Sequence, residues 1–96
     1  MRFLRSNAKT YGINSKKMIA AGGSAGGHLA AAVSMLPSVN EPTDDLSVSS
    51  KAVASILYNA VIDNGPTGFE HKRMGERYLE ISPMHNITKG APPAIF

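Results

Sequence analysis

Residues 20–33 read AAGGSAGGHLAAAV, and Ser24 carries the only hydroxyl group in this stretch. A serine in a tight strand-to-helix turn is forced toward positive φ, with its Oγ aimed away from the sheet. A hydroxyl exposed in this way is suited to nucleophilic attack on a carbonyl carbon. Another interpretation is a flexible turn without chemistry. The residues that would form the turn are glycines on both sides of the serine: Gly22, Gly23, Gly26 and Gly27.

The residues on either side of the serine fit the turn that this chemistry needs. Gly22-Gly23-Ser24-Ala25-Gly26 has the pattern G-x-S-x-G, with the apolar run MIAA before it and HLAAAVSML after it. We expect small residues two before and two after the serine, because Cβ atoms there would collide across the turn. A helix that begins after the turn presents unpaired N–H groups and the positive end of its dipole. The Ala25 N–H is therefore predicted to receive a developing oxyanion.

Other glycine-rich loops fit these residues less well. A dinucleotide-binding G-x-G-x-x-G that began at Gly22 would need glycine where Ser24 stands. A phosphate-binding loop that began at Gly22 would place His28 at the position of the obligatory lysine. Anion binding at the N-terminus of the helix needs neither motif. A non-catalytic α/β module that binds an anion there remains the alternative.

The remaining titratable side chains do not complete a catalytic site. His28 is expected to hydrogen-bond locally, His71 to lie on a solvated face within EHKR, and His85 to be structural. An Asp63–His85 pair would obey the chain order Ser, Asp, His, and it is kept as an alternative. No His, Asp or Glu cluster has the spacing of a metal site, so neither a metal nor a cofactor is predicted.

Helical and strand patterns alternate along the chain. Apolar residues Phe3, Leu4, Ala8 and Tyr11 recur at helical spacing up to a predicted cap at Gly12. Helix, strand, helix, strand, helix, strand is the order that favours a parallel α/β sheet with right-handed crossovers. A strand is predicted at 18–21, followed by a well-buried helix at 29–36 that ends by Pro37 and a polar loop at 38–50 with exposed Asp44 and Asp45. A second strand is predicted at 53–58 and a loop at 65–68. The last segments are a helix that has Met74, Tyr78 and Ile81 on one side and ends before Pro83, and a strand from Ala94.

Composition excludes several classes of function. Ninety-six residues allow one small domain, and we treat residues 1–96 as a single partial domain. The formal charge of +3 comes from scattered Lys and Arg residues, which argues against nucleic-acid binding. Cysteine is absent, which excludes disulfides and thiolate metal sites. No apolar run approaches the roughly 20 residues of a membrane span.

The stretch RFLRSNAKTYGINSKKMIAAGGSAGGHLAAAV resembles the helix–strand–elbow–helix segment of α/β-hydrolase-fold esterases. It is closest to the branch with hormone-sensitive-lipase-like and acetyl-xylan-esterase-like enzymes. The later stretch ISPMHNITKGAPPAIF resembles the part that leads into the strand before the catalytic acid. The resemblance implies a three-layer α/β fold, a small-molecule ester substrate, Ser24 as nucleophile and the Ala25 N–H as one oxyanion donor.

The same resemblance implies that parts of the catalytic site lie outside these residues. The triad order Ser, then Asp or Glu, then His would place the acid and the histidine beyond Phe96. No His-Gly-Gly-type loop, which would supply the second oxyanion donor, precedes Ser24. The apolar run at Ala94-Ile95-Phe96 stops without a turn, which suggests a chain cut inside a strand. We therefore expect a central fragment that is inactive alone. A truncated product with neither activity is a further interpretation.

Overall fold

Helices and parallel strands alternate in the computed structural model, which describes residues 1–36 and 39–96. Two 3₁₀ turns are present, at Gly75–Arg77 and at Pro83–Asn86. The helices and strands are α1 (Arg2–Ser6), β1 (Ile19–Gly23), α2 (Ala25–Met35), β2 (Ala54–Tyr58), α3 (His71–Met74), α4 (Tyr78–Ile81) and β3 (Ala94–Ile95).

The three strands form one parallel sheet in the order β1-β2-β3. Ile19 is paired with Ala54 and Gly23 with Tyr58, so β1 and β2 end side by side. β3 is paired with β2 through Ser55 and Ala94. Because the carboxyl ends of parallel strands meet at one edge, the turns that follow β1 and β2 emerge next to each other.

The core lies between α2 and the first two strands. Ala30, Ala31 and Leu57 are buried there. Small side chains let the helix lie close to the sheet, and two buried hydroxyls bind backbone groups across this contact. The Ala52 N–H donates to Ser34 Oγ (3.3 Å), and Ser55 Oγ donates to the Ala30 carbonyl (3.4 Å). The core therefore combines small apolar groups with satisfied hydroxyls.

The predicted order of elements is confirmed, with differences at the boundaries. α2 begins at Ala25, four residues before the predicted start at Leu29, because the helix runs through Gly26 and Gly27. The expectation of a well-buried helix is wrong on one side, where the Leu29 side chain is 68% exposed. The helix predicted to end at Leu36 ends one residue earlier, at Met35, and the predicted loop start at Ser38 lies outside the described residues.

The first predicted helix is shorter in the structure. α1 ends at Ser6 with Asn7 as its C-cap, so the predicted cap at Gly12 is wrong; Gly12 lies in a later turn with a φ of +64°. Ala8 is buried, whereas Phe3 and Tyr11 are exposed. The Arg5 guanidinium donates to the carbonyls of Ser15, Ser49 and Lys51 and so attaches α1 to the segments before β1 and β2.

The third predicted helix is interrupted. A positive φ of +54° at Gly75 separates α3 from the 3₁₀ turn and α4 that follow it. The predicted end before Pro83 is confirmed, since α4 ends at Ile81 and Ser82 is extended. None of the helices in residues 1–36 and 39–96 has the length and apolar character needed to cross a membrane.

Candidate active site

Ser24 occupies the turn between β1 and α2. Its φ of 51° and ψ of −117° lie outside the regions that residues with a Cβ favour. The residue is exposed, follows the last residue of β1 and precedes the first residue of α2. The strained strand-to-helix turn predicted from the sequence is therefore confirmed as a geometry.

Hydrogen bonds from the end of β2 hold the Ser24 backbone in this conformation. The Ser24 N–H donates to the Tyr58 carbonyl (2.9 Å), and the Val61 N–H donates to the Ser24 carbonyl (3.4 Å). Between these two contacts the chain turns at Asn59, which has a φ of 44°. The His28 N–H also donates to the Ser24 carbonyl (3.1 Å). Strain persists where surrounding contacts over-determine it, as they do here.

Two of the four glycines around Ser24 cannot be replaced by a larger residue without a clash, because neighbouring atoms lie too close to their Cα atoms. A Cβ on Gly22 would lie 2.3 Å from the Gly26 carbonyl oxygen, and a Cβ on Gly27 would lie 2.5 Å from the Ala60 Cβ. The expectation that residue 26 must be small is wrong, because a Cβ at Gly26 would have no atom of the described residues within 4 Å. At Gly23 a Cβ would make ordinary contacts with Tyr58. The tight pair is therefore Gly22 and Gly27.

The Ala25 N–H is available to an oxygen atom placed above Ser24. Ala25 is the first residue of α2, so its N–H has no acceptor within the helix. The residue is exposed, and it lies at the positive end of an eleven-residue helix. This arrangement can stabilise negative charge that develops on a neighbouring oxygen.

His28 has a partner distant in sequence. Its Nε2 lies 2.8 Å from the Ile81 carbonyl oxygen. A carbonyl oxygen only accepts, so Nε2 carries the hydrogen. The expected local side-chain bond is wrong, because this bond joins the first turn of α2 to the end of α4. The sequence offers no signal for a pairing across 53 positions.

His71 is half-buried, which corrects the expectation of a solvated face. Its Nδ1 lies 3.2 Å from the Asn64 carbonyl oxygen. The ring packs edge-on against Tyr78, which packs in the same way against His85. These contacts hold α3 and α4 on the loop that follows β2.

Asp63 and His85 lie close together, and this is the pair that the sequence analysis kept as an alternative. The distance from Asp63 Oδ1 to His85 Nδ1 is 3.9 Å, which is an ionic contact only when the imidazole is protonated. Ser82, which the sequence analysis missed, lies closer, with its Oγ 2.8 Å from His85 Nδ1. The spacing of three residues from Ser82 to His85 was the available signal.

This second serine is not placed for nucleophilic attack. The Ser82 side chain is completely buried. Its Oγ accepts the Asn64 N–H (3.1 Å), and its hydroxyl lies 3.3 Å from the Ile62 carbonyl. A buried hydroxyl with these partners fixes the loop after β2. It therefore belongs to the scaffold of the site.

A pocket of about 420 Å³ opens beside Ala25 and His28. Its rim has two ion pairs, Arg73–Glu70 at 3.6 Å and Arg77–Glu80 at 3.0 Å. The hydrogen bond from Arg77 lowers the pKa of the Glu80 carboxyl, and the same contact raises the pKa of Arg77. The apolar part of the lining is Val61, Phe69, Met74 and Ile81.

The BD-FAE family model matches residues 1–77, and no curated protein matches the chain. The chain is similar to solved structures of esterase 2 from the planctomycete Thermogutta terrifontis. The form phosphoramylated by tabun has 40% identity and a TM-score of 0.85 over 97% of this chain and 35% of that chain. The native form has 38% identity and a TM-score of 0.83 over 97% and 36%. The propionate-bound form has 38% identity and a TM-score of 0.79 over 97% and 37%.

The coverage of these matches is unequal. Nearly all of this chain superposes on esterase 2, but it spans only about 35% of the length of that protein in the first of these structures. The parallel sheet, its order and the helices around it are shared over the superposed part.

Proposed function

The chain belongs to the BD-FAE family and has the α/β-hydrolase fold of an esterase, and on this premise we propose that it carries the nucleophile, Ser24, of a carboxylic-ester hydrolase. One observation carries the proposal. Ser24 is exposed, has a φ of 51°, and precedes a helix whose first N–H has no acceptor within the helix. We therefore propose that the turn between β1 and α2 acts as a nucleophile elbow.

The chemistry is acyl transfer through a covalent intermediate. Ser24 Oγ attacks the ester carbonyl carbon, and a histidine accepts the hydroxyl proton. The Ala25 N–H donates to the oxyanion of the tetrahedral intermediate, and the helix dipole favours that charge. The alkoxide leaves with a proton from the histidine, and water then hydrolyses the acyl-serine. The substrate is a small-molecule ester.

We propose that the acid, the histidine and the second oxyanion donor come from residues outside this chain. Among the described residues, no hydrogen bond joins a histidine ring to Ser24 Oγ; the ring nitrogens of His28, His71 and His85 contact the Ile81 carbonyl, the Asn64 carbonyl and Ser82 Oγ instead. Loss of one oxyanion donor costs about 10²–10³ in rate, and loss of the base costs more. The 96-residue chain alone is then without turnover.

The chemistry of the similar protein supports a reactive nucleophile. Structures of esterase 2 include forms phosphorylated by paraoxon and phosphonylated by sarin. Organophosphorus agents of this type react with activated nucleophiles. We propose the same susceptibility for Ser24 once the complete site is present.

Fluorophosphonate labelling tests the proposal. The probe is added to the 96-residue chain and to the protein translated from the same reading frame with its flanking DNA. We expect codons for a downstream Asp and His, labelling of the longer protein at Ser24 located by peptide mass spectrometry, and hydrolysis of p-nitrophenyl acetate by that protein alone.

Matched serine variants provide the control. Ser24→Ala is expected to abolish labelling, whereas Ser6→Ala, at an exposed serine on α1, leaves it unchanged. Serine-dependent turnover by the chain alone would contradict its proposed inactivity. Phosphate-dependent thermal stabilisation without any labelling would support the anion-binding module instead.

A further inference from the structure

The bend at Asn59 lies between the two groups of the β2 exit that bind the Ser24 backbone. Tyr58 comes directly before it and accepts the Ser24 N–H (2.9 Å), and Val61, two positions after it, donates to the Ser24 carbonyl (3.4 Å). A strand rises about 3.3 Å per residue, so a straight chain would carry Val61 about 10 Å beyond Tyr58. The bend is therefore what allows one short segment to bind both backbone groups of the same residue.

Asn59 makes this bend in the left-handed region, with a φ of 44°. Asparagine is one of the few residues with a Cβ that adopt positive φ readily, because its short side chain can bond the local backbone. Glycine has no penalty there, whereas a β-branched residue is a steric outlier. The Asn59 side chain is exposed, so core packing does not restrict its type. The backbone conformation is the property of this residue that the fold uses.

The left-handed conformations of Ser24 and Asn59 depend on each other. The two residues follow the paired ends of neighbouring strands, since Gly23 is paired with Tyr58. With a negative φ at position 59, the chain would turn the Tyr58 carbonyl and the Val61 N–H away from Ser24. The strained serine would then keep only the bond within α2 from the His28 N–H.

We propose that Asn59 is a positioning residue for the acyl-transfer step, acting through the backbone of residues 58–61 on the orientation of Ser24. The proposal rests on the proposed function for the reaction and on the two hydrogen bonds for the coupling. A misplacement of about 1 Å at a reacting group can cost on the order of 10²-fold in rate. Residue 59 therefore sets the rate of attack by Ser24 and leaves the affinity for the ester nearly unchanged.

Amide hydrogen exchange of the 96-residue chain tests the coupling. The variants are Asn59→Gly, which keeps the positive φ without a side chain, and Asn59→Ala and Asn59→Val, which disfavour it. Protection of the Ser24 N–H is measured relative to that of Ile56, in the middle of β2, which corrects for global unfolding. We expect this ratio to fall about fivefold or more in Asn59→Ala and further in Asn59→Val, and to stay within about threefold in Asn59→Gly.

Fluorophosphonate labelling of the longer protein tests the role in the reaction. The maximal rate of labelling at Ser24 and the half-saturating probe concentration are measured separately, well below the unfolding midpoint of each variant. We expect the maximal rate to fall at least about tenfold in Asn59→Val, with the half-saturating concentration within about threefold, and Asn59→Gly to retain the rate. A merely structural role would lower the unfolding midpoint and leave both labelling constants unchanged.

Gly12→Ala is the matched control for left-handed strain. Gly12 has a φ of +64°, an added Cβ there has no atom of the described residues within 4 Å, and its N–H donates to the Lys9 carbonyl. The variant should lower the unfolding midpoint without changing the exchange ratio or the labelling rate. An equal loss in Asn59→Gly and Asn59→Ala would assign the effect to the amide side chain and overturn the proposal.

The two measurements separate failure of this proposal from failure of the esterase proposal. Protection at Ser24 that follows residue 59, without labelling of the unsubstituted longer protein, rejects the hydrolase and retains the coupling. Equal maximal labelling rates in the glycine, alanine and valine variants retain the hydrolase and reject Asn59 as a positioning residue.

Discussion

At Ser24 the backbone holds a conformation that costs free energy. A residue with a Cβ at φ 51° and ψ −117° is strained by about 1–3 kcal/mol, and hydrogen bonds with Tyr58, Val61 and His28 hold it there. In this strained conformation the Ser24 side chain is exposed to solvent. Stability and reactivity therefore make opposite demands on this residue.

Ser24→Gly is expected to stabilise the chain, because glycine adopts this conformation without a Cβ penalty. Relief of about 1–3 kcal/mol outweighs the roughly 0.5–1 kcal/mol that glycine loses through the flexibility of the unfolded chain. Urea unfolding should show a gain near 1 kcal/mol. Ser24→Ala keeps the Cβ and should show little change, and an equal gain in both variants would contradict the strain argument.

Gly22→Ala is expected to destabilise the chain by about 1–3 kcal/mol or more, because its Cβ would lie 2.3 Å from a backbone oxygen that cannot move without the turn. Gly26→Ala is the matched control. Its Cβ points into open space, and alanine is favoured over glycine in helices by up to about 1 kcal/mol. Unfolding midpoints that fall equally in the two variants would show that the contact has no special cost.

Residue by residue, the sequence predicts the backbone geometry of the turn better than it predicts the contacts of the turn. The G-x-S-x-G pattern places Ser24 and Ala25 correctly in a strand–turn–helix geometry, because glycine at position 22 permits the close backbone approach that this turn requires. It does not distinguish Gly26 from Gly27. That difference depends on Ala60, which reaches the turn only after β2 has paired with β1.

Among the elements, the loop after β2 is fixed mainly by one buried hydroxyl. Ser82 accepts the Asn64 N–H and contacts His85 Nδ1, while the Met84 N–H donates to the Ile62 carbonyl (2.9 Å). This segment then carries Phe69 and α3 to the pocket. Its position relative to α2 is therefore decided by polar contacts, since few large side chains are buried there.

Ser82→Ala is expected to cost about 1–3 kcal/mol, because it leaves the buried Asn64 N–H without an acceptor. Hydrogen exchange should show faster exchange at Asn64 and along the loop, with β1 and β2 less affected. Ser6→Ala, at an exposed serine on α1, is the matched control and should change neither. Unchanged exchange at Asn64 in Ser82→Ala would contradict this role.

The order of the elements could be predicted because apolar runs and helical spacing are local properties. Their boundaries could not. Packing of Gly27 on Ala60 overrides the weak helix propensity of glycine and starts α2 at Ala25. Conversely, Gly75 adopts a φ of +54° and interrupts a helix that the spacing of Met74, Tyr78 and Ile81 predicts as continuous.

Over the whole molecule, little large apolar surface is buried. Among the described residues, the largest side chains that are completely buried are Leu57, Pro83 and three serines. Ile19, on the edge strand β1, is 56% exposed, and Phe96 is 77% exposed. A core of alanine and serine supplies a modest hydrophobic free energy.

The chain alone is therefore expected to have a free energy of unfolding below the usual range of about 5–15 kcal/mol, and to self-associate through the exposed edge of β1. Ile19→Lys should reduce the apparent mass in size-exclusion chromatography, because a charge on an edge strand opposes strand pairing. Leu46→Lys, away from the sheet, should have no such effect. A cooperative thermal transition from a monomer of the unsubstituted chain would contradict this expectation.

The pocket shows the limit of sequence reasoning at this scale. Its lining comes from α2, the loop after β2, α3, the 3₁₀ turn and α4. Each contributing residue looks ordinary in its own segment. Only the tertiary bonds, such as that from His28 to Ile81, assemble them into one concave surface.

The two hydrogen bonds that bracket the Ser24 backbone have a consequence for transplanting this turn into another protein. One comes from Tyr58 and the other from Val61, more than thirty positions along the chain, so the strained dihedral angles are not a property of the Gly-Gly-Ser-Ala-Gly pentapeptide. A graft of β1, the turn and α2 alone would relax to an ordinary bend. The smallest portable unit also includes β2 and its exit through Val61.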